Sequence, residues 1–292
     1  MREGELKFEE EKQNEPERTS GLMRFIGATP QQQEKAMSDF KDTFDKQEKH
    51  MFKPEWEKEK TPDQERMISE VLERLPDFVK KFGGNPVSIK SKNIHFLDAE
   101  KIKADGEIKE NYIQYDYNNQ LVSICPTDNE SKTIEVLVHE LMHFNSFMSV
   151  GQEEKHVSKK GYNTRVGFSI IGEKYLLNDL NEAVTQELAM RFIEDYYKNP
   201  YMRKAGEFVS RQSEVSRLNE IMDKILMYNS KEFKSKEEVF RIFAESYFSG
   251  NLMKIGRLMD KTFGKGTFRH YAETGDYLNN SGPRKRGRKK YK

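Results

Sequence analysis

The chain has 292 residues, of which 35% are hydrophobic, 34% are charged and one is a cysteine. This length allows a substantial buried core, and a single cysteine excludes an internal disulfide bond. Because there is no apolar run near the roughly 20 residues of a membrane span, and the N-terminus has no apolar signal-peptide core, we expect a soluble cytoplasmic protein with no membrane partner.

Charge predicts a division of the chain into three parts. Residues 1–60 include seven Glu among the first twenty positions, and we expect them to be largely disordered or loosely helical. Residues 61–275 carry the apolar periodicity of a folded domain. Residues 276–292 form a tail that ends in PRKRGRKKYK, with seven basic side chains and no acid. This tail could contact nucleic acid weakly through phosphates, although a solvated, mobile tail is the simpler interpretation.

The folded domain is predicted to open with a helix. Thr61 and Gln64 match a capping box, and Pro62 stands at the first helical position. Apolar residues then recur at helical spacing until two consecutive glycines, at 83 and 84, which predict the end of the helix.

After this helix, the apolar residues change from helical spacing to alternation with polar residues, which predicts a β-hairpin. Ile113, Tyr115 and Tyr117 alternate with polar residues, as in a half-buried strand. The turn-forming residues 118–120 separate them from the short apolar run 121–125, which is the expected second strand.

The second half of the chain reads as mostly helical. A strongly apolar helix follows residue 130, a strand is expected over 164–171, and another helix over 178–197. The last predicted helix covers 252–263. A helix, a small antiparallel sheet and then many helices indicate an α+β fold rather than a doubly wound one.

The most informative string is His139-Glu140-Leu141-Met142-His143, an HExxH motif. On a helix, residues i and i+4 share a face, so both imidazoles can point at one metal ion. Glu140 lies beside the first histidine, where its carboxylate can reach a water on that ion. The alternative is a helix that exposes these side chains without a metal.

A catalytic zinc needs three protein ligands and leaves the fourth position to water. Glu182 is the candidate third ligand, because an inward-facing carboxylate on an apolar helix face needs a partner such as a cation. His156, in a polar loop, and Glu187, on the same helix as Glu182, are the competitors. Glu182 could also simply cap its own helix.

In combination, residues 139–143 and the string Asn181-Glu182-Ala183 resemble the gluzincin class of zinc metallopeptidases, the thermolysin-like enzymes. The resemblance covers about residues 90–197 and implies a zincin-like domain. It implies one Zn²⁺ held by His139, His143 and Glu182, with Glu140 as the general base and Asn181 supporting the site. The implied activity is hydrolysis of peptide bonds with a metal-activated water.

One position departs from the pattern of this class. Thermolysin-like enzymes carry an acid four residues after the glutamate ligand, where it supports a ligand histidine, and here that residue is Gln186. An amide can still accept a hydrogen bond from an imidazole N–H, but with less charge. Two alternatives stay open, namely weaker zinc binding or a different acid, such as Glu187, in this role.

The sequence leaves further parts of the mechanism open. Candidate donors to the oxyanion are Tyr247, His270 and Tyr271. A substrate peptide could add as a strand to the sheet edge, for which 121–125 is the natural choice. The acidic N-terminal segment could cover the cleft and keep the enzyme latent.

The competing function is a non-catalytic zincin-like scaffold. Such a protein would bind a protein or nucleic-acid partner through its charged termini, and any metal would serve structure only. A structural zinc site is closed by a fourth protein ligand, and Glu140 would then have no role.

Overall fold

The computed structural model describes residues 24–26, 54–105, 113–116, 121–127, 129–152, 162–171, 175–197 and 211–277. These residues form an α+β fold in which helices predominate. The α-helices are α1 (Pro62–Lys81), α2 (Ala99–Ala104), α3 (Glu130–Asn145), α4 (Asn178–Tyr197), α5 (Gln212–Tyr228), α6 (Lys236–Ser249), α7 (Leu252–Phe263) and α8 (Thr267–Thr274). The strands are β1 (Arg24–Ile26), β2 (Glu57–Lys58), β3 (Ile94–Leu97), β4 (Ile113–Asp116), β5 (Leu121–Ile124), β6 (Met148–Gln152), β7 (Tyr162–Val166), β8 (Ser169–Ile171) and β9 (Tyr175–Leu176).

Two mixed sheets take the place of the single antiparallel sheet predicted from the sequence. One has the strand order β2-β3-β5-β4 and the other β1-β6-β7-β8-β9. The pairs β3–β5 and β1–β6 are parallel, and the other pairs are antiparallel. Parallel neighbours are joined by long connections, so no local turn signal marks them in the sequence.

The strand predictions are partly confirmed. β4 and β5 pair antiparallel from Ile113↔Ile124 to Asp116↔Leu121, as the predicted hairpin requires. The predicted single strand over 164–171 is wrong, because the chain turns at Gly167 and β8 pairs back on β7. Gly167 has φ +57°, a conformation that glycine adopts without the strain of a Cβ atom.

The predicted substrate edge is also wrong. β5 lies inside its sheet, because β3 pairs with it on one side and β4 on the other. Among the described strands, β4 ends this sheet on the side of the hairpin. The edge available beside the HExxH helix is therefore β4, which carries Tyr115.

The HExxH helix α3 is enclosed on all sides. Its residues from Thr133 to Asn145 are all buried, and it packs against β4, β5, α1 and α4. A helix without a solvent-facing side must give each of its polar groups a protein, water or ion partner. The buried histidines and glutamates of α3, which are Glu135, His139, Glu140 and His143, therefore each need a partner from a neighbouring residue, a water or an ion.

Two of the predicted helix features are confirmed, and two short helices were not predicted. α1 begins with the predicted capping box, in which the Thr61 hydroxyl accepts from the Gln64 N–H and the Gln64 side chain accepts from the Thr61 N–H. α7 has the predicted bounds. The sequence prediction missed α2 and α8, which have only six and eight residues, too few for a periodic pattern to stand out.

The folded unit extends beyond the predicted boundary at residue 60. Trp56 is fully buried against Leu97, Ile102 and Cys125, and its indole N–H donates to Asp105 at 2.6 Å. β2 and β1 both belong to the sheets. Residues 1–23 and 27–53, which include most of the proposed cover over the cleft, and the basic end of the tail lie outside the described residues.

Within the described ranges, no helix is both long enough and apolar enough to cross a membrane.

Candidate metal centre

Three buried side chains from two helices converge on one point. His139 and His143 project from α3, and Glu182 projects from the first turns of α4; each is 7–8% exposed. The Nε2 atoms of the two histidines are 3.1 Å apart. The Glu182 carboxylate lies 3.4 Å from Nε2 of His139 and 3.5 Å from Nε2 of His143.

These distances fit a tetrahedral metal ion. Ligand atoms at about 2.0–2.2 Å from a tetrahedral ion are about 3.3–3.6 Å from one another, and the three observed separations scatter around that range. In the described part of the chain, no fourth His, Cys, Asp or Glu joins this group. The three residues predicted from the sequence therefore lie close enough to bind a metal ion, with one side left open.

The charges of the three groups favour a cation between them. Burial by itself raises the pKa of Glu182, but the two imidazoles, His143 foremost, outweigh it and hold the pKa well below its ordinary value. Glu182 is consequently a carboxylate at neutral pH. The carboxylate and the two Nε2 atoms that face it form a set of donor atoms that suits a divalent cation.

Glu140 lies beside this group and faces the cleft. Burial raises the pKa of its carboxyl to about 7; His139 lowers it and Glu182 raises it to smaller extents. The backbone N–H of Tyr115 on β4 donates to the carboxylate. A carboxyl that titrates near neutrality, next to a cation site, suits proton transfer at neutral pH.

A cleft of about 210 Å³ opens onto these residues. Glu140, His143 and Glu182 form part of its wall. The other lining residues come from β4, β7, β8, α4 and the start of α5: Tyr115, Val166, Ser169, Ile171, Asn178, Asn181 and Arg211.

The far side of His143 is supported by two hydroxyl groups. Thr185 donates its hydroxyl proton to the Asn181 carbonyl at 2.7 Å and lies 2.8 Å from the Tyr247 hydroxyl. Both hydroxyl oxygens are 3.4 Å from Nδ1 of His143. An N–H at Nδ1 can be shared between them, which leaves the Nε2 lone pair for a metal ion.

Asn181 supports the site through the backbone. Its side-chain oxygen accepts from the N–H of Phe168 at 2.8 Å, which ties the β7–β8 turn to α4. Its Nδ2 atom is 3.5 Å from Nδ1 of His143, which could accept from it only in the tautomer that carries its proton on Nε2. The supporting role predicted for Asn181 is thus exerted on the turn that walls the cleft.

The close fit of this turn makes Gly167→Ala a test of the packing around the site. A Cβ at this position would overlap Asn181 Oδ1 and approach the Tyr247 ring to 2.6 Å. We expect the overlap to cost about 1–3 kcal/mol in the free energy of unfolding, beyond the left-handed backbone cost of about 1–2 kcal/mol. Gly266→Ala is the control in urea unfolding, because Gly266 has φ +89° with no atom within 4 Å of a Cβ. Equal losses in the two variants would contradict the tight packing.

Gln186, the position that departs from the pattern of the class, does contact one of the two histidines. Its Oε1 is 2.8 Å from Nδ1 of His139, and its Nε2 donates to Glu135 at 2.7 Å. Glu187 has a different partner, since it accepts from Arg191 at 2.8 Å. The suggestion that Glu187 supports a histidine is therefore wrong.

The other sequence candidates stay away from the cleft. Tyr247 is fully buried behind His143, and neither His270 nor Tyr271 lines the cleft. The competing ligand His156 lies outside the described residues. Of the three donor candidates, none is placed to contact a substrate carbonyl in this cleft.

Sequence reasoning missed Arg211, which reaches the site from the start of α5. Its guanidinium lies 3.3 Å from Glu182 and 3.5 Å from Glu214. Its backbone has φ +72°, unusual for a residue other than glycine. No local sequence pattern predicts that this residue reaches the site, because a long connection separates it from α4.

No protein-family model, curated protein or solved structure matches the chain.

Proposed function

We propose that this protein is a zinc-dependent peptidase with a gluzincin-like centre. The observation that carries the proposal is the convergence of His139, His143 and Glu182 at separations suited to one tetrahedral ion. A donor set of two imidazoles and one carboxylate binds zinc in preference to harder divalent ions such as Mg²⁺ and Ca²⁺. The zincin-like character of the domain belongs to the same proposal.

The position of Glu140 supports a catalytic rather than a structural metal. The group has three protein ligands in the described residues, and a structural zinc would be closed by a fourth. Glu140 lines the cleft on the open side. A scaffold protein would have no use for a buried carboxylate at that place.

When bound, zinc would lower the pKa of a water toward about 7 and polarise a peptide carbonyl. His139, His143 and Glu182 would hold the ion. Glu140 would accept the proton of the attacking water and then give it to the departing amine. The Tyr115 N–H holds the Glu140 carboxylate toward the cleft.

β4 is the element suited to align a substrate peptide. It is the edge of its sheet among the described strands, and it carries Tyr115, which lines the cleft. The backbone N–H of Tyr115 donates to Glu140, so this strand lies against the site. An extended peptide paired with a sheet edge presents successive carbonyls at fixed intervals.

The test is hydrolysis of a fluorophore-labelled unfolded protein by the full-length chain. We expect activity in the zinc-loaded protein, its loss after dialysis against a chelator, and its return on addition of Zn²⁺. Circular dichroism of the metal-free protein serves as the control for folding. A folded, zinc-loaded protein that leaves the substrate intact over a panel of unfolded proteins would contradict the proposal.

A further inference from the structure

Glu135 is a buried acid that the proposed mechanism does not use. It lies on α3 one turn before His139, and it is 1% exposed. A carboxylate at such a place is unfavourable unless hydrogen bonds compensate for the lost water. The Gln186 amide provides one such bond, at 2.7 Å, and reaches His139 with its other end at 2.8 Å. The three side chains form a buried chain, Glu135–Gln186–His139.

The Glu135 carboxylate decides the orientation of the Gln186 amide. An ionised carboxylate only accepts hydrogen bonds, and in the structure Glu135 accepts from the NH₂ end of the amide at 2.7 Å. The reverse orientation would place the amide oxygen against the carboxylate oxygen, and two acceptors repel. Gln186 must therefore turn its oxygen toward His139.

The orientation of Gln186 in turn decides the tautomer of His139. An amide oxygen can only accept, so Nδ1 of His139 must carry the proton. In a neutral imidazole, a proton on Nδ1 leaves the lone pair on Nε2. Nε2 is the atom that faces Glu182 and His143, where the metal ion is proposed to bind.

We propose that Glu135 is a positioning residue of the metal centre, which holds His139 in its metal-binding tautomer through Gln186. The inference rests on the proposed metal site and deepens it. In gluzincins an acid contacts the histidine directly. Here the acid is Glu135, which lies on the same helix as His139 and contacts it through the Gln186 amide. Its negative charge polarises the amide and so makes the His139 ring a better electron donor.

The first test replaces Glu135 by Gln in the full-length chain. The new amide can donate or accept, so Gln186 can adopt either orientation. We expect Zn²⁺ affinity, measured by chelator competition, to fall by about 10–100-fold. In the metal-free protein, ¹⁵N–¹H NMR of the histidines should show His139 changing from the Nδ1–H tautomer to a mixture.

Glu187→Gln is the matched control. It removes a carboxylate from the residue next to Gln186, but one that pairs with Arg191. We expect zinc affinity and the His139 tautomer to be unchanged in this variant.

The double variant Glu135→Gln/Gln186→Glu tests whether the charge is responsible. A carboxylate at 186 would accept directly from Nδ1–H of His139, and the amide at 135 would donate to it. We expect zinc affinity to return toward the wild-type value, with His139 again in one tautomer.

Two results would overturn the inference. One is a Glu135→Gln variant with wild-type zinc affinity and an unchanged His139 tautomer. Glu135 would then have a purely structural role, even if the melting temperature of the variant fell. The other is a double variant that binds zinc no better than Glu135→Gln. Neither readout involves hydrolysis, so zinc binding with the expected tautomer in a protein without peptidase activity would refute the proposed function alone.

Discussion

Glu140→Gln is expected to lower kcat for peptide hydrolysis by about 10²–10⁴-fold while zinc stays bound. The amide has the size of the carboxyl but cannot take a proton from water. It can still accept from the Tyr115 N–H, so the local structure should persist.

The measurements for this variant are kcat on the labelled unfolded protein and zinc content after desalting. Glu187→Gln, on α4 but bound to Arg191, is the control and should keep full activity. If Glu140→Gln hydrolysed the substrate at the wild-type rate, Glu140 would not be the general base. Loss of zinc from the variant would instead make it a ligand.

Glu182→Gln is expected to lower zinc affinity by more than 100-fold, because loss of a supporting partner alone costs about 10–100-fold. The substitution removes the single carboxylate from a set whose other two members are imidazoles. The described residues offer no other carboxylate in the group. Hydrolysis should fall in parallel with zinc occupancy and recover only at high Zn²⁺ concentration.

Glu214→Gln is the control for the effect of Arg211. Arg211 contacts both Glu182 and Glu214, so Glu182→Gln also removes one of its ion pairs. Removal of the Glu214 pair alone should leave zinc affinity unchanged. Wild-type affinity in Glu182→Gln itself would mean that another residue supplies the third ligand.

The proposed ligands could be found from the sequence because their signals are local. The apolar residues around His139 and His143 recur at helical spacing and so predict a helix. On a helix, residues four apart share a face, so both imidazoles point the same way. Glu182 needed one further step, the cost of an inward-facing carboxylate. Each step depends on residues within one or two helical turns.

The supporting residues could be found only in part. Glu135 did leave a signal, as an acid inside the apolar run Ile134–Val138 of a helix that is enclosed on all sides, where an unpaired charge is costly. No sequence signal marks Tyr115 or Arg211 as part of the site, because their positions depend on how β4 and α5 pack against α3 and α4. The edge strand was misassigned for the same reason, since the parallel pairing of β3 with β5 is set by tertiary structure.

The short strand β1 has a consequence for work with shortened chains. Its backbone pairs with one side of β6, from Arg24↔Ser149 to Ile26↔Gly151, so among the described strands the edge of the five-stranded sheet is a strand of three residues and not the five-residue β6. A chain trimmed past residue 26 would make β6 the edge, and its longer row of unpaired peptide groups would attract strands of other molecules. Such a chain should self-associate, as light scattering would register, whether or not its active site is intact.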